Sequence, residues 1–297
     1  ADGSWSRAPF TPRAHEGVRV RSMLLDGRGS LWLGTGGGGL YRVSRPSARR
    51  YGSEAGFEAG IALAPDGAGG AFVVSECRGV AHIDASGAVA RVALKDPSTT
   101  RDISDQHCAI SLAEGRDAVW VRANDYLFQI RTQDLAVRRI PADLPNDNGP
   151  VVAIPDGSVW VVSRLGTVQQ VAADGREVRR LPLPPPLMSA SRGPDGALWV
   201  GGESQVFRVR EGAIDRFGPS EGVPRGLVRD IVAERDGTVW IATYGGGLGR
   251  LRNGRVARLT VQHGLPDNSI SRLLDDGRGR MWIHTNRGLA VVGRDEL

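Results

Sequence analysis

The sequence predicts an all-β fold: one seven-bladed β-propeller over residues 1–297, with four antiparallel strands in each blade. Three observations predict it. A short aromatic, strand-like phrase recurs about every forty residues, an acidic residue and a glycine precede each copy, and the polar run that should close the last repeat is missing at the C-terminal end. A regular period of this size in an all-strand pattern is the mark of a propeller, whose units bury their faces only by stacking on neighbours.

The phrases are LWLGT (31–35), AFVVS (71–75), VWVRA (119–123), VWVVS (159–163), LWVGG (198–202), VWIAT (239–243) and MWIHT (281–285). Their anchors, the blade centres, are Trp32, Phe72, Trp120, Trp160, Trp199, Trp240 and Trp282, which take six of the seven tryptophans and read as core. The acidic-glycine pairs run from Asp26-Gly27, Asp66-Gly67 and Glu114-Gly115 through Asp156-Gly157, Asp195-Gly196 and Asp236-Gly237 to Asp276-Gly277. Asp-Gly between apolar alternating runs signals a hairpin, because glycine adopts positive φ without steric cost. The glycine stands at two different offsets from the tryptophan, so a tight hairpin and one two residues longer are expected.

Apolar runs before the turns, such as VRSMLLD (20–26) and ISRLLDD (270–276), supply the innermost strands. GLYRV (39–43), YLFQI (126–130) and GLAVV (288–292) represent the third strands. Polar fourth strands follow at RRYGS (49–53), VARVAL (89–94), AVRRI (136–140), EVRRL (177–181), AIDRF (213–217) and RVARLT (255–260). The seventh repeat has none of its own. SWSRAPF (4–10), which carries Trp5, is therefore expected to complete that blade and remove its open edge.

At 40% hydrophobic and 24% charged, the chain can bury a large core, and its 41 glycines and 17 prolines suit short strands punctuated by turns. No window approaches the run of about 20 apolar residues that spans a bilayer. No basic segment followed by an apolar stretch opens the chain, so any signal peptide would lie outside it. The net charge of +5 comes almost wholly from arginine, with Lys95 the single lysine. The arginines are spread over every repeat without a basic run, which argues against a nucleic-acid partner.

GTGGGG (34–39) matches a dinucleotide-binding pattern, but that motif needs a helix after the glycines and here the strand LYRV follows. The cluster recurs as YGGGL (244–248), so a tight strand-to-strand turn is expected. His15, His82, His107, His263 and His284 lack zinc-ligand spacing, and no calcium loop is present. No metal or cofactor is expected.

DGRGSLWLGTGGGGLYRV (26–43), DGTVWIATYGGGLGRL (236–251) and HGLPDNSISRLLDDGRGRMWIHTNRGLAVV (263–292) resemble the two-component regulator propeller repeat. Repeats two to four depart from it: Phe72 replaces tryptophan, and Arg122 and Val162 replace the small residue of the phrase. The resemblance implies a sensor domain in the periplasm, the extracytoplasmic part of an inner-membrane bacterial receptor. It further implies a downstream β-sandwich and transmembrane helix, leading to a histidine kinase or diguanylate cyclase outside this chain. A homodimer of the full receptor fits the same scheme.

In a propeller, the turns from strand two to three and the connections from strand four to the next strand one share a face. Function is commonly carried by such loops on a rigid scaffold. The first set contains Glu76, Arg78, Asp125, Arg164, Glu203, Tyr244, His284, Asn286 and Arg287, and the second adds Asp105 and His107. Carboxylates, arginines, amides and a tyrosine around a mouth suit a small polar ligand such as a glycan or short peptide, or a partner domain. The alternatives are an enzyme and a protein-interaction scaffold. GPDGALWV (193–200) resembles the streptogramin lyase repeat, in which His284 and Glu203 would serve a Mg-dependent lyase. The histidines are not paired in neighbouring loops, so a binding module without catalytic residues is expected. Cys77 and Cys108 fall on one face of neighbouring repeats, within reach of a disulfide; two small buried free thiols are the other option.

Overall fold

The structure is a computed structural model that describes residues 6–7, 19–44, 47–57, 59–75, 79–95 and 110–297. It contains seven four-stranded antiparallel sheets and, among the described residues, only single 3₁₀ turns besides: an all-β propeller. The chain divides into two compact units, one of residues 16–183 and one built on residues 184–297.

The first unit holds four blades. Blade 1 is Arg19–Leu25, Leu31–Gly36, Leu40–Ser44 and Ser47–Tyr51, and blade 2 is Gly60–Pro65, Ala71–Ser75, Gly79–Ile83 and Val89–Val92. Blade 3 is Ile110–Glu114, Ala118–Ala123, Tyr126–Arg131 and Val137–Ile140, and blade 4 is Val151–Ala153, Val159–Val162, Thr167–Val171 and Glu177–Pro182. The second unit holds blade 5 (Ser189–Arg192, Leu198–Gly201, Val206–Arg210, Ala213–Phe217) and blade 6 (Val228–Ala233, Val239–Thr243, Gly247–Arg252, Arg255–Leu259). Blade 7 is Ile270–Asp275, Arg280–Thr285 and Gly288–Gly293, completed by Ser6–Arg7. Ser6 pairs with Val291 and Arg7 with Ala290, so the N-terminal segment supplies the fourth strand that the last repeat lacks.

Burial follows the repeat. Ala71–Ser75, Val159–Val162, Leu198–Gly201 and Val239–Thr243, all second strands, are buried along their whole length. Both faces of such a strand are covered, which is why the phrases read as continuous apolar runs rather than alternating ones. Trp32 packs with Phe57, Ala71, Val73 and Ile83 of the next repeat, and Trp240 with Ile270, Met281 and Ile283. The fourth strands keep their polar residues in water, as in Ser47–Arg50. The connectors Ser53–Ala55, Pro219–Glu221 and Val261–His263 are 3₁₀ turns, each closed by a left-handed glycine. That glycine is followed by a buried anchor at Phe57, Val223 and Leu265.

The hairpins correct one expectation. The two lengths do not follow the glycine offset: six hairpins share one length, and that of blade 3 is one residue shorter, with the Gly115 N–H donating to Ala118 O at 2.9 Å. The backbone N–H six residues before the anchor donates to the carbonyl two residues before it in blade 1 (Asp26 to Ser30, 3.0 Å), blade 4 (Ile154 to Ser158, 2.9 Å) and blade 6 (Glu234 to Thr238, 2.8 Å) alike. In the six longer hairpins a left-handed glycine stands three before the anchor, at Gly29, Gly69, Gly157, Gly196, Gly237 and Gly279, whereas blade 3 has Asp117 there. Among those six, what varies is where the aspartate sits inside the common turn. At the first position, Asp26 accepts the N–H groups of Arg28 and Ser30 and keeps its second oxygen for the blade core. At the third, Asp156 and Asp236 accept the N–H and hydroxyl of the residue two further on.

Candidate functional site

In the second unit, the turns between strands two and three and the connectors that enter strand one are tied into a continuous row. Ser204, in the left-handed region (φ 54), donates its N–H to Gly226 O at 2.8 Å, and the Gly226 N–H donates back to Ser204 Oγ at 3.0 Å. The Tyr244 N–H donates to Leu227 O (2.9 Å), the Gly245 N–H to Asn268 O (3.1 Å) and the Asn286 N–H to Ser269 O (3.2 Å). Glu203 bridges Leu227 and Tyr244 bridges Ser269 as isolated ladder rungs. Asn268 is fixed further, because its side-chain oxygen accepts the Val261 N–H at 2.9 Å.

The glycines of YGGGL make this approach possible. A Cβ on Gly246 would lie 2.1 Å from Arg225 O, and one on Gly226 would lie 2.3 Å from Tyr244 O. The cluster is a turn that lets two backbones touch, as expected, and the glycines at 37 and 39 of blade 1 take the same left-handed conformation.

Because main-chain groups do the stitching, side chains are left outside. Glu203, Arg225, Tyr244, Asn286 and Arg287 are exposed on this row, with 47% of Tyr244 accessible. Arg287 keeps 76% of its side chain in water and meets Asp267 only at 4.0 Å. His284 sits differently. It lies within Arg280–Thr285, paired with Leu289 and Arg272, and is 3% exposed, so it supports the row from beneath.

In the first unit, the corresponding region of blades 3 and 4 is built on charge. Arg122 is 1% exposed. Its guanidinium donates to Asn124 O (2.9 Å), Val162 O (2.8 Å), Pro145 O (2.9 Å) and Asp147 Oδ1 (2.7 Å). Burial pushes this guanidinium down from its ordinary range, against the pull of Asp147 and Asp125. The Asp147 carboxylate also accepts the N–H groups of Gly149 and Arg164, both at 3.0 Å, and the Ser163 hydroxyl. Arg164 and Asp125 are exposed at the rim, and Arg164 donates to Asn148 Oδ1 at 3.2 Å. Arg122 was not among the candidate residues. Its signal was its place in the phrase, where blades 1, 5 and 6 carry Gly34, Gly201 and Ala242.

Glu76, Arg78, Asp105 and His107 lie outside the described residues, as do Cys77 and Cys108 with the bond expected between them. Glu203, Tyr244, Asn286 and Arg287 are brought onto one row in the second unit, and Asp125 and Arg164 onto the rim of the first. Among the described residues, no three His, Cys, Asp or Glu side chains converge as a metal site.

Residues 264–287 match the family model described as the two component regulator propeller. Comparison with curated protein sequences finds no match. The extracellular domain of BT4673 from B. thetaiotaomicron, described as a hybrid two component system, superposes with a TM-score of 0.74 at 16% identity. That superposition covers 97% of this chain and 39% of that one. The extracellular domain of BT3049 from the same organism gives 0.72 at 14% identity, covering 92% and 40%. A structure of YCF48 bound to D1 peptide gives 0.67 at 13% identity, covering 98% and 99%. At these identities the likeness is one of fold. The chain spans about two fifths of the two extracellular domains.

Proposed function

We propose that this chain is the sensor propeller of a bacterial membrane receptor, placed outside the cytoplasm, and that it binds rather than catalyses. Its ligand is a small polar molecule, a glycan or short peptide, or a partner domain, held on the loop row of blades 5 to 7. The observation that carries this is the division of labour on that row. Backbone bonds fix the loops, so Glu203, Arg225, Tyr244, Asn286 and Arg287 stay exposed for recognition on a rigid base. Tyrosine suits such a place, because its ring offers contact area at low entropic cost and its hydroxyl a polar handle.

The two-component propeller match at 264–287 covers the connector and turn of blade 7 that contribute Asp267, Asn268 and Asn286 to the row. The extracellular two component domains of the same fold support the sensor setting, and YCF48 bound to D1 peptide, of the same fold, supports a peptide as one ligand class. A downstream signalling domain, and a homodimer of the full receptor, belong to the same proposal.

The test is a glycan and peptide array probed with the parent protein and with Tyr244→Ala/Arg287→Ala. Signal on one ligand class that the double variant loses supports the proposal. Turnover of a streptogramin in the presence of Mg²⁺ would replace it with the lyase.

A further inference from the structure

At the opposite ends of the same strands, on the hairpin side of the second unit, lies a groove of about 860 Å³ between the turns of blades 6 and 7. Trp240 and Arg250 line it, together with Glu234, Asp236, Arg252 and Arg294. Trp240 is 2% exposed, and its buried Nε1 has no hydrogen-bond partner. Leaving such a donor unmatched costs about 1–3 kcal/mol, so buried indole N–H groups are normally satisfied.

Blade 1 shows what this donor takes when it has a partner. There the Trp32 Nε1 donates to the Asp26 carboxylate at 2.9 Å. The same oxygen accepts from Arg42 at 3.2 Å, and Arg42 stacks on the Trp32 ring at 4.9 Å. Indole, carboxylate and guanidinium form one unit. Blade 6 repeats two of the three parts: Arg250 pairs with Trp240 in register and lies over its ring at 5.9 Å.

The third part is drawn away. Glu234 occupies the position of Asp26 in a turn of the same length, but its carboxylate is held by Arg294 at 2.6 Å. Asp236, two residues on, spends its oxygens on the N–H and hydroxyl of Thr238 at 2.9 and 3.1 Å. Neither acid reaches the indole. Arg250 donates one bond to Leu297 O at 2.9 Å.

We propose that this groove is a second binding site, for a small carboxylate-bearing molecule whose carboxylate accepts the Trp240 N–H beside the Arg250 guanidinium, as Asp26 does in blade 1. Its volume is that of a small-molecule pocket. The acids that share the wall with arginines leave room for a cationic group on the same ligand, so a free organic acid and a zwitterionic amino acid are the two sources of the carboxylate. The site is independent of the loop row, and either can fail without the other.

The test follows the indole N–H resonances of the tryptophans in the full chain by ¹H–¹⁵N NMR, with the Trp240 signal assigned by its loss in Trp240→Phe. Succinate, glutamate and, as a neutral control, succinamide are titrated in turn. The Trp240 signal is expected to shift saturably with one or both carboxylates and not with succinamide. A response to succinate alone identifies a simple anion, and a response to glutamate identifies a zwitterion. Arg250→Gln should weaken the response about tenfold, as the loss of one charge-assisted bond does. An unmoved Trp240 signal at millimolar carboxylate in the unaltered protein, or an equal shift with succinamide, overturns the proposal.

Discussion

Blades 3 and 4 and blades 5 to 7 solve one problem by different means. Each must fix the loops where strand two turns into strand three, beside the connector entering the next strand one. Blades 3 and 4 bury a guanidinium there and satisfy it with three carbonyls and one carboxylate. Blades 5 to 7 bring backbone against backbone through glycine and join the loops with main-chain bonds. The difference decides which side chains are available. Where Arg122 and Asp147 hold the loops, those two charged groups are consumed and Asp125 and Arg164 stay at the rim; where glycines do, Glu203, Tyr244 and Arg287 remain in water.

The largest effect expected from breaking this contrast is at Arg122. Arg122→Ala takes the cationic partner from Asp147 and one donor from each of three carbonyls, and removing one partner of a buried pair costs about 3–5 kcal/mol. Chemical denaturation of the variant should show that loss, while ligand binding on the blade 5 to 7 row stays as in the parent. Gly246→Ala attacks the other device. Its Cβ would be 2.1 Å from Arg225 O, so the loops must separate, at a cost of about 1–3 kcal/mol typical of overpacking. Here ligand binding should fall with stability, because Arg225 and Tyr244 lose their spacing.

A subtler comparison lies in blade 2, where Phe72 cannot donate to Asp66 and His82 Nε2 takes the place of the indole at 2.9 Å. Burial pushes the Asp66 carboxyl up, but hydrogen bonds from His82 and from the Gly70 and Ala68 N–H groups outweigh it. The carboxyl is held below its ordinary value of 3.8. A depressed folded value means that its stabilisation is complete above about pH 4 and is lost as pH falls through the folded value. Calorimetry of Asp66→Asn should therefore show a shallower loss of melting temperature on acidification than the parent. The smallest effects belong to Tyr244→Ala and Arg287→Ala, which should each change stability by no more than about 0.5 kcal/mol.

Much of this architecture was legible in the sequence because period and polarity are direct consequences of stacking. The continuous apolar phrases follow from strands covered on both faces, and the polar fourth strands from the exposed edge. The missing seventh fourth strand pointed to the N-terminal segment, and Ser6–Arg7 fills that place. Hairpin length is not legible from the acidic-glycine pair, because that pair takes different places within turns of equal length. The glycine that sets the turn is the one three before the anchor, and in blades 1, 2 and 7 it is a second glycine, Gly29, Gly69 and Gly279. Arg122 is illegible for another reason: an arginine in a strand phrase shows its departure from the repeat, but not the four acceptors that converge on it, three of them 23 to 40 residues away. The partnerless Trp240 N–H could not be seen either, since Glu234 and Asp26 look equivalent until the reach of each carboxylate is known.

Hydrogen–deuterium exchange with a glycan or peptide taken from the array tests most directly whether the exposed side chains over the backbone-fixed row hold a ligand. Protection is expected at residues 203–204, 225–227, 244–245, 267–269 and 286–287, with blades 3 and 4 unchanged. Protection centred on 145–149 and 162–165 instead, around Arg122 and Asp147, would contradict it.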